Sequence, residues 1–390
     1  MRNLVTVAAA VVAVGVGAGV ALATTSAAPA TAGGAVQVSV TTSACGPGAG
    51  WHLAAGPLTL DVTSHAPGYT SVYLTSAADD VLAELPALGQ GRTQPLTTAL
   101  TSGRYSLRCV LTDSTVLVSA PLYISGTTRG TPTGYRPMPD LDLAGPVRAY
   151  TAYVEGKLPG LLTACQLLAT DVARGDLITA RSDWLTAHLD YERLGAAYNA
   201  FGDFDDEIDG MAGGLPEGTA TPGWTGFFAI EHALWSGEPA SRVRPLTENL
   251  VSTVNGLIAD FPSEEIDPGD LPLRTHEILE NALEFQLSGI ADYGSGTTLA
   301  TTYANTQGTG EILGLLTPLL RGLAPAVLSE AESGLATLQA DLLAERGADG
   351  HWTPAADLSA TARERIDGDA GSLLETLSRV PGILTPRDGA

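Results

Sequence analysis

Apolar and polar residues alternate between residues 36 and 125. The alternation is clearest at 36–40, 58–62 and 105–110, and a period of two is typical of strands that bury one face. Turn-forming Pro and Gly residues separate these segments. Several short strands within about 90 residues predict a small all-β sandwich.

The apolar period changes to that of helices in the second part of the chain. A connection rich in Pro and Gly at 126–139 has the composition of a linker. From Val147 to Val380 the apolar residues recur at three- and four-residue intervals, as in amphipathic helices. The sequence therefore predicts an all-α helical bundle over 140–386 behind the sandwich, with Asp176 at a helix N-cap.

The first 33 residues have the pattern of an export signal. Arg2 precedes an apolar run over 4–23, and small residues suited to cleavage lie between 21 and 32. We therefore expect a signal peptide over 1–33 and an exported protein that is periplasmic, on the cell surface or secreted. Because the apolar run is about 20 residues long, an uncleaved membrane anchor stays open as an alternative.

The charge balance is strongly acidic. The chain has 20 Lys+Arg against 43 Asp+Glu, which gives a formal net charge of −23. This excess disfavours nucleic acid and anionic lipid as partners, since both bind basic patches. The acidic excess is consistent with an exported protein that encounters cations, and equally with an ordinary soluble acidic protein.

Because exported chains can hold disulfides, the predicted export makes a disulfide among the three cysteines plausible on chemical grounds. Cys45 and Cys109 lie at the two ends of the β-rich segment, whereas Cys165 lies in a helical pattern. We predict a disulfide between Cys45 and Cys109 and a buried free thiol at Cys165. A blue-copper site would instead combine Cys109 with His52 and His65. The β-rich segment contains no Met for the axial position, so copper is disfavoured.

Four segments of the helical part carry a family resemblance. They lie at 191–194, 201–205, 226–235 and 276–280. With the sequences Tyr-Glu-Arg-Leu, Phe-Gly-Asp-Phe-Asp, Gly-Phe-Phe-Ala-Ile-Glu-His-Ala-Leu-Trp and His-Glu-Ile-Leu-Glu, they resemble the imelysin-like helical domain. That domain forms the second half of EfeO-type components of iron uptake systems, and a cupredoxin-like domain precedes it there. The resemblance therefore implies a cupredoxin-like sandwich followed by an imelysin-like bundle.

The same resemblance implies a function. It points to an extracytoplasmic iron-binding component of a ferrous or ferric iron uptake system, which delivers iron to a membrane permease and has a haem peroxidase as companion. Two alternatives stay open: a divergent member with a degenerate metal site that binds a partner or another ligand, and a metallopeptidase. A zinc peptidase needs a ligand set such as His-Glu-x-x-His. The sequence contains none, so we expect no enzymatic activity.

The resemblance also implies a metal site in which two family positions have changed. In the family the third segment carries a His-x-x-Glu motif; here Glu231 keeps the Glu, and Phe228 stands at the His position. Gly195 stands where the family tends to have a second Glu in the segment of Glu192. His232 lies about 40° around a helix from Phe228, which makes it a candidate for the missing ligand.

Two further acidic positions complete the candidate set. Asp209 ends a dense acidic turn and best matches the family's acidic position. Hard cations favour such oxygen clusters, although a solvated helix start has the same composition. Glu280 follows His276 by four residues, which places both on one helix face, as metal ligands or as a surface pair. The predicted metal ligands are Glu192, Asp209, Glu231, His232 and Glu280.

Overall fold

A computed structural model of the chain describes residues 35–128 and 134–387. The predicted signal peptide over 1–33 lies outside these residues, as does the centre of the predicted linker. None of the described helices is long and apolar enough to cross a membrane.

The first described part, residues 35–128, contains nine strands. Most of them alternate between buried and exposed residues, as the sequence period predicts. The strands are β1 Val36–Val40, β2 Trp51–Ala54, β3 Gly56–Ser64, β4 Tyr69–Ser76, β5 Val81–Gly89, β6 Thr93–Leu100, β7 Gly103–Leu111, β8 Val116–Val118 and β9 Leu122–Ser125.

The strands form two sheets that share one core. The smaller sheet has the order β1-β3-β6, and the larger has the order β2-β9-β7-β4-β5, with β8 also paired to β7. The pairs β1–β3 and β2–β9 are parallel, and the others are antiparallel. Val38 of β1, Leu60 of β3 and Leu74 of β4 are buried in the same cluster. The predicted β-sandwich is confirmed.

The predicted disulfide between Cys45 and Cys109 is present, with the two Cα atoms 5.8 Å apart. Cys45 follows β1 of the smaller sheet, and Cys109 lies in β7 of the larger one. Both cysteines are buried in the sandwich core, so the bond ties one sheet to the other. Cys165, in the helical part, is buried and free, also as predicted.

The second described part, residues 134–387, is helical. Its α-helices are α1 Ala144–Arg174, α2 Leu177–Glu192, α3 Tyr198–Phe201, α4 Asp203–Asp209, α5 Gly226–Trp235, α6 Ala240–Asp260, α7 Asp270–Asn281, α8 Thr298–Leu323, α9 Pro325–Ala344, α10 Ala360–Leu377 and α11 Arg379–Leu384. A π-helical turn, Ala282–Leu287, continues α7.

The helices bury one face each, which confirms the helical period read from the sequence. In α1, Val154, Leu161 and Leu168 recur at seven-residue intervals and are buried. Asp176 caps α2 by accepting the backbone N–H of Thr179 at 3.1 Å. Helix α2 packs against α1 on one side and contacts α5 and α8 on another. One face of α2 therefore looks into the interior of the bundle.

The end of the described chain contacts the sandwich. Arg387 donates from Nε and Nη2 to the two carboxylate oxygens of Glu84 in β5, at 2.8 and 3.2 Å. Its Nη2 also donates to the carbonyl oxygen of Gly382 at 2.8 Å, and its guanidinium lies over the ring of Tyr135. The Arg387 side chain is only 3% exposed. A bidentate ion pair, buried on the side of Arg387 and partly exposed at Glu84, thus joins the helical part to the sandwich.

Candidate metal centre

The interior face of α2 carries an imidazole and a carboxylate one helical turn apart. His188 and Glu192 are spaced i, i+4 and are 1% and 4% exposed. The Nε2 atom of His188 lies 3.0 Å from Oε1 of Glu192. Charged and titratable groups are rarely buried to this extent unless they meet a partner of opposite charge or a metal ion.

The third member of the group comes from another helix. Asp209 is the last residue of α4, and its Oδ1 lies 3.3 Å from Nε2 of His188. Helix α4 ends there because the backbone of Gly210 is extended, with ψ 122°, and a Cβ atom at this position would lie 2.3 Å from the Asp206 carbonyl oxygen. The ligand atoms of His188, Glu192 and Asp209 all lie within 4.8 Å of one another.

These atoms have no partner outside their own group. Nε2 of His188, Oε1 of Glu192 and Oδ1 of Asp209 are buried, and among the described residues each meets only the other members of the group. Buried polar atoms are nearly always hydrogen-bonded or bound to an ion. An imidazole nitrogen and two carboxylate oxygens are ligands that zinc and iron accept. The donor set therefore fits a metal cation.

Aromatic rings enclose the imidazole on its other sides. Trp184, one turn before His188, has its ring centroid 5.0 Å from that of His188. Phe227 and Phe228 of α5 follow at 5.1 and 5.4 Å. Trp184 is itself fixed, because its Nε1 donates to the Phe227 carbonyl oxygen at 2.9 Å. The rings hold the imidazole in place and keep water from its flanks.

Asn305 of α8 orients the Glu192 carboxylate. Its Nδ2 donates to Oε2 of Glu192 at 2.6 Å and more weakly to the Glu192 carbonyl oxygen at 3.4 Å. With Oε2 engaged in this way, Oε1 is the oxygen that faces His188. Hydrogen bonds of this kind commonly fix the carboxylate ligands of metal sites.

The electrostatics of the group favour a cation. Burial by itself lowers the pKa of His188, but the adjacent carboxylates of Asp209 and Glu192 outweigh it and raise that pKa to about 10. Burial, and then the negative charge of Glu192, raises the pKa of Asp209 to about 7. Without a metal ion, the imidazolium proton supplies the positive charge between the carboxylates. A metal ion would take the place of that proton.

Glu192 and Asp209 open onto a cavity of about 190 Å³. Other polar residues around this cavity are Tyr198, Asp205, Asp206, Arg274, Asn281, Gln286 and Asn305. Asp205 accepts a 2.5 Å hydrogen bond from the hydroxyl of Tyr191, and burial raises its pKa to about 6. The lining of the cavity combines four carboxyl groups with apolar side chains such as Phe228 and Phe285.

Arg274 is the one basic residue among those that line the cavity, and it is already engaged. Its Nε and Nη2 donate to the Gly195 carbonyl oxygen at 2.9 and 2.6 Å, and its Nη1 donates to Glu277 at 3.1 Å. A Cβ atom on Gly195 would lie 3.0 Å from Ile278. The position where the family tends to have a second Glu thus supplies a backbone acceptor for Arg274 here.

The structure brings two of the five predicted ligands, Glu192 and Asp209, into this group. Glu231 is 1% exposed, but its Oε1 accepts the backbone N–H groups of Tyr293 and Ser295 at 3.1 and 2.9 Å. It lies outside the metal-ligand group found among the described residues. Its carboxylate holds the loop that follows the π-helical turn.

The other two predicted ligands lie away from the cavity lining. His232 stacks at an angle against Trp224, with ring centroids 6.1 Å apart. Glu280 has a 56% exposed side chain and pairs with Nδ1 of His276 at 3.5 Å. The His276–Glu280 segment therefore forms the surface pair that was the alternative interpretation of its spacing.

His188 is the candidate ligand that the sequence analysis did not identify. The sequence feature that could have identified it is its spacing: His188 lies four residues before Glu192, on a helix that also carries Trp184. The resemblance drew attention to Phe228 instead, because the family's His is absent there. In the structure the edge of the Phe228 ring packs against His188. Helix α2 thus supplies an imidazole beside Phe228, the α5 position at which the family's His is absent.

The profile of the imelysin family matches residues 146–378, the greater part of the helical region. The chain belongs to the imelysin family. It is 29% identical over 249 residues to the iron uptake system component EfeM of Pseudomonas syringae pv. syringae, covering 63% of this chain and 86% of that protein. It is 25% identical over 304 residues to EfeO, the iron uptake system component of Escherichia coli and of Shigella flexneri, covering 78% of this chain and 80% of each relative. The resemblance read from the sequence is confirmed, although the imelysin family also carries a peptidase label.

The buried carboxyl of Glu231 predicts a pH-dependent stability. Burial raises its pKa from 4.5 to about 7. A raised folded-state pKa contributes stability that is complete below pH 4.5 and is lost as the pH rises through 7. The amide oxygen of Glu231→Gln can still accept both N–H groups. Relative to this variant, the free energy of unfolding of the native chain should fall by about 3 kcal/mol between pH 4.5 and 8. Urea denaturation at several pH values measures this difference. Glu280→Gln, on an exposed side chain, is the matched control, and identical pH profiles for native and Glu231→Gln would contradict the prediction.

Proposed function

We propose that this chain is an extracytoplasmic iron-binding component of an iron uptake system, and that His188, Glu192 and Asp209 bind the iron. The observation that carries the proposal is the convergence of three buried ligand atoms within 4.8 Å, which meet one another and have no partner outside the group among the described residues. The relatives named as iron uptake system components support the choice of metal. Delivery to a membrane permease, with a haem peroxidase as companion, is the role that EfeO-type systems imply for such a component.

The chemistry of the site suits iron. Two carboxylate oxygens are hard ligands, and one imidazole nitrogen is an intermediate one, a combination that both Fe²⁺ and Fe³⁺ accept. The carboxylates of Asp205 and Asp206 line the approach and attract cations into the cavity. Export, which the first 33 residues predict, would place the site where iron arrives from outside.

Phe228 and Gly195 depart from the family pattern, but other residues of this chain can supply the missing ligands. Phe228 cannot ligate a metal, but His188 offers an imidazole nitrogen beside the same cavity. Gly195 lacks a carboxylate, but Asp209 and Glu192 supply two. A degenerate member that binds a partner without iron is the outcome that the following experiment separates from this one.

The test is an anaerobic Fe²⁺ titration of the mature chain, followed by elemental analysis after purification. The native protein should bind one equivalent, and the double variant Glu192→Gln/Asp209→Asn should bind at least about a hundredfold more weakly, about 2.7 kcal/mol. Asp260→Asn/Glu264→Gln makes the same chemical changes at two exposed acids and should bind like the native chain.

Each other outcome has a definite meaning. Equal binding by all three proteins would place the iron elsewhere, with Glu231, His232 and Glu280 as the remaining predicted ligands. An absence of iron binding in the native protein would refute the proposal and favour the partner- or ligand-binding alternative.

A further inference from the structure

Gln286 is a buried polar side chain without a protein partner. It lies in the π-helical turn Ala282–Leu287 and is 7% exposed. Within residues 35–128 and 134–387, its carboxamide makes no hydrogen bond; only its backbone carbonyl accepts one, from Gly289. It lines the same cavity as Glu192 and Asp209.

Two features distinguish this position. A carboxamide that meets no protein donor or acceptor is left to hydrogen-bond to water or to a ligand in the cavity. A π-helical turn is itself a rare interruption of an α-helix, and it often occurs at functional sites. Here the turn buries Gln286 and Leu287 while Glu284 stays exposed. The local structure therefore places a carboxamide without a protein hydrogen bond at the cavity wall.

The proposed metal site leaves coordination positions open towards this cavity. Three protein ligands leave open positions on an ion that commonly takes six. Trp184, Phe227 and Phe228 cover the flanks of His188, so the open positions face the cavity. Oxygen ligands from solution must fill them. A carboxamide offers two N–H donors and one acceptor oxygen, which suits such a ligand.

We propose that Gln286 is a positioning residue that holds an oxygen ligand on the metal ion bound by His188, Glu192 and Asp209. The ligand is a water molecule or a small oxyanion such as bicarbonate, both of which present oxygen to the metal and to the carboxamide. This inference rests on the proposed iron site and adds to its chemistry a fourth residue that lines the same cavity.

The test compares native protein with Gln286→Leu in two measurements. The first is Fe²⁺ affinity, measured by competition with a chromophoric chelator in carbonate-free buffer and again with added bicarbonate. The second is the melting temperature of the ion-free protein. The variant should bind Fe²⁺ roughly tenfold more weakly, since one hydrogen bond to a metal ligand is lost. Its ion-free melting temperature should stay the same, because the carboxamide has no protein hydrogen bond to lose.

The two buffers identify the ligand. A loss of affinity in both buffers indicates water, and a loss confined to bicarbonate buffer indicates the oxyanion. Gln166→Leu, at an exposed glutamine of α1, is the matched control and should change neither measurement. Gln286→Met, which keeps the length of the side chain, serves if the branched leucine prevents folding.

Two results would overturn the inference. Unchanged affinity in both buffers, with or without a lower melting temperature, would make Gln286 merely structural and would leave the iron site standing. Failure of the native protein to bind Fe²⁺ at all would remove both the inference and the proposed function.

Discussion

Replacement of His188 by Ala is expected to abolish iron binding and to lower the free energy of unfolding of the ion-free protein by roughly 3–5 kcal/mol at neutral pH. The substitution removes the one positive charge between the buried carboxylates of Glu192 and Asp209. It also leaves an empty space among the rings of Trp184, Phe227 and Phe228. Metal titration and urea denaturation measure the two effects separately.

The pH dependence and a control define this prediction further. Because the pKa of His188 is raised to about 10, the stability that its charge contributes is complete below pH 6.5 and is lost as the pH rises through 10. The penalty for His188→Ala should therefore shrink above pH 10. His232→Ala makes the same change at a histidine outside the cavity and should leave iron binding intact. Retention of both binding and stability by His188→Ala would contradict the assignment.

Loss of the Cys45–Cys109 disulfide is expected to destabilise the sandwich by about 4 kcal/mol, because the bond closes a loop with a sequence separation of 64. That is a large part of the stability of a small domain. Calorimetry of Cys45→Ala/Cys109→Ala should show an early transition for the sandwich. Reductant should produce the same early transition in the native chain.

Cys165→Ala provides the control for the disulfide. Cys165 is buried but unbonded, so this variant should keep the reductant-sensitive transition of the native protein. If the native chain melted at the same temperature with and without reductant, the bond would have no stabilising role.

The layout of the fold follows from periodicities that a sequence displays. The predicted strand at 36–40 has the observed bounds of β1, and the predicted change of period matches the change from strands to helices. These features depend on which residues along one segment share a face, and short-range patterns encode that directly.

The metal site depends on a fact of another kind, namely which faces of different helices meet. Glu280 has the right spacing from His276, but the buried face of α7 carries Thr275 and Ile278, so Glu280 points outward. His232 is close to Phe228 in angle, yet α5 turns Phe228 towards His188 and leaves His232 against Trp224. Helix geometry gives the angle between two side chains and leaves open which one faces inward.

The ion pair between Arg387 and Glu84 gives the two halves of the molecule a second point of attachment. Its partners are 303 positions apart in the chain, so the helical half leaves the sandwich at the linker and returns to it at Arg387. A single connection would act as a hinge, whereas two connections resist swinging about either one. The contact at Arg387 therefore opposes swinging of the helical half about the linker, and it favours one orientation of the metal-site cavity relative to the sandwich.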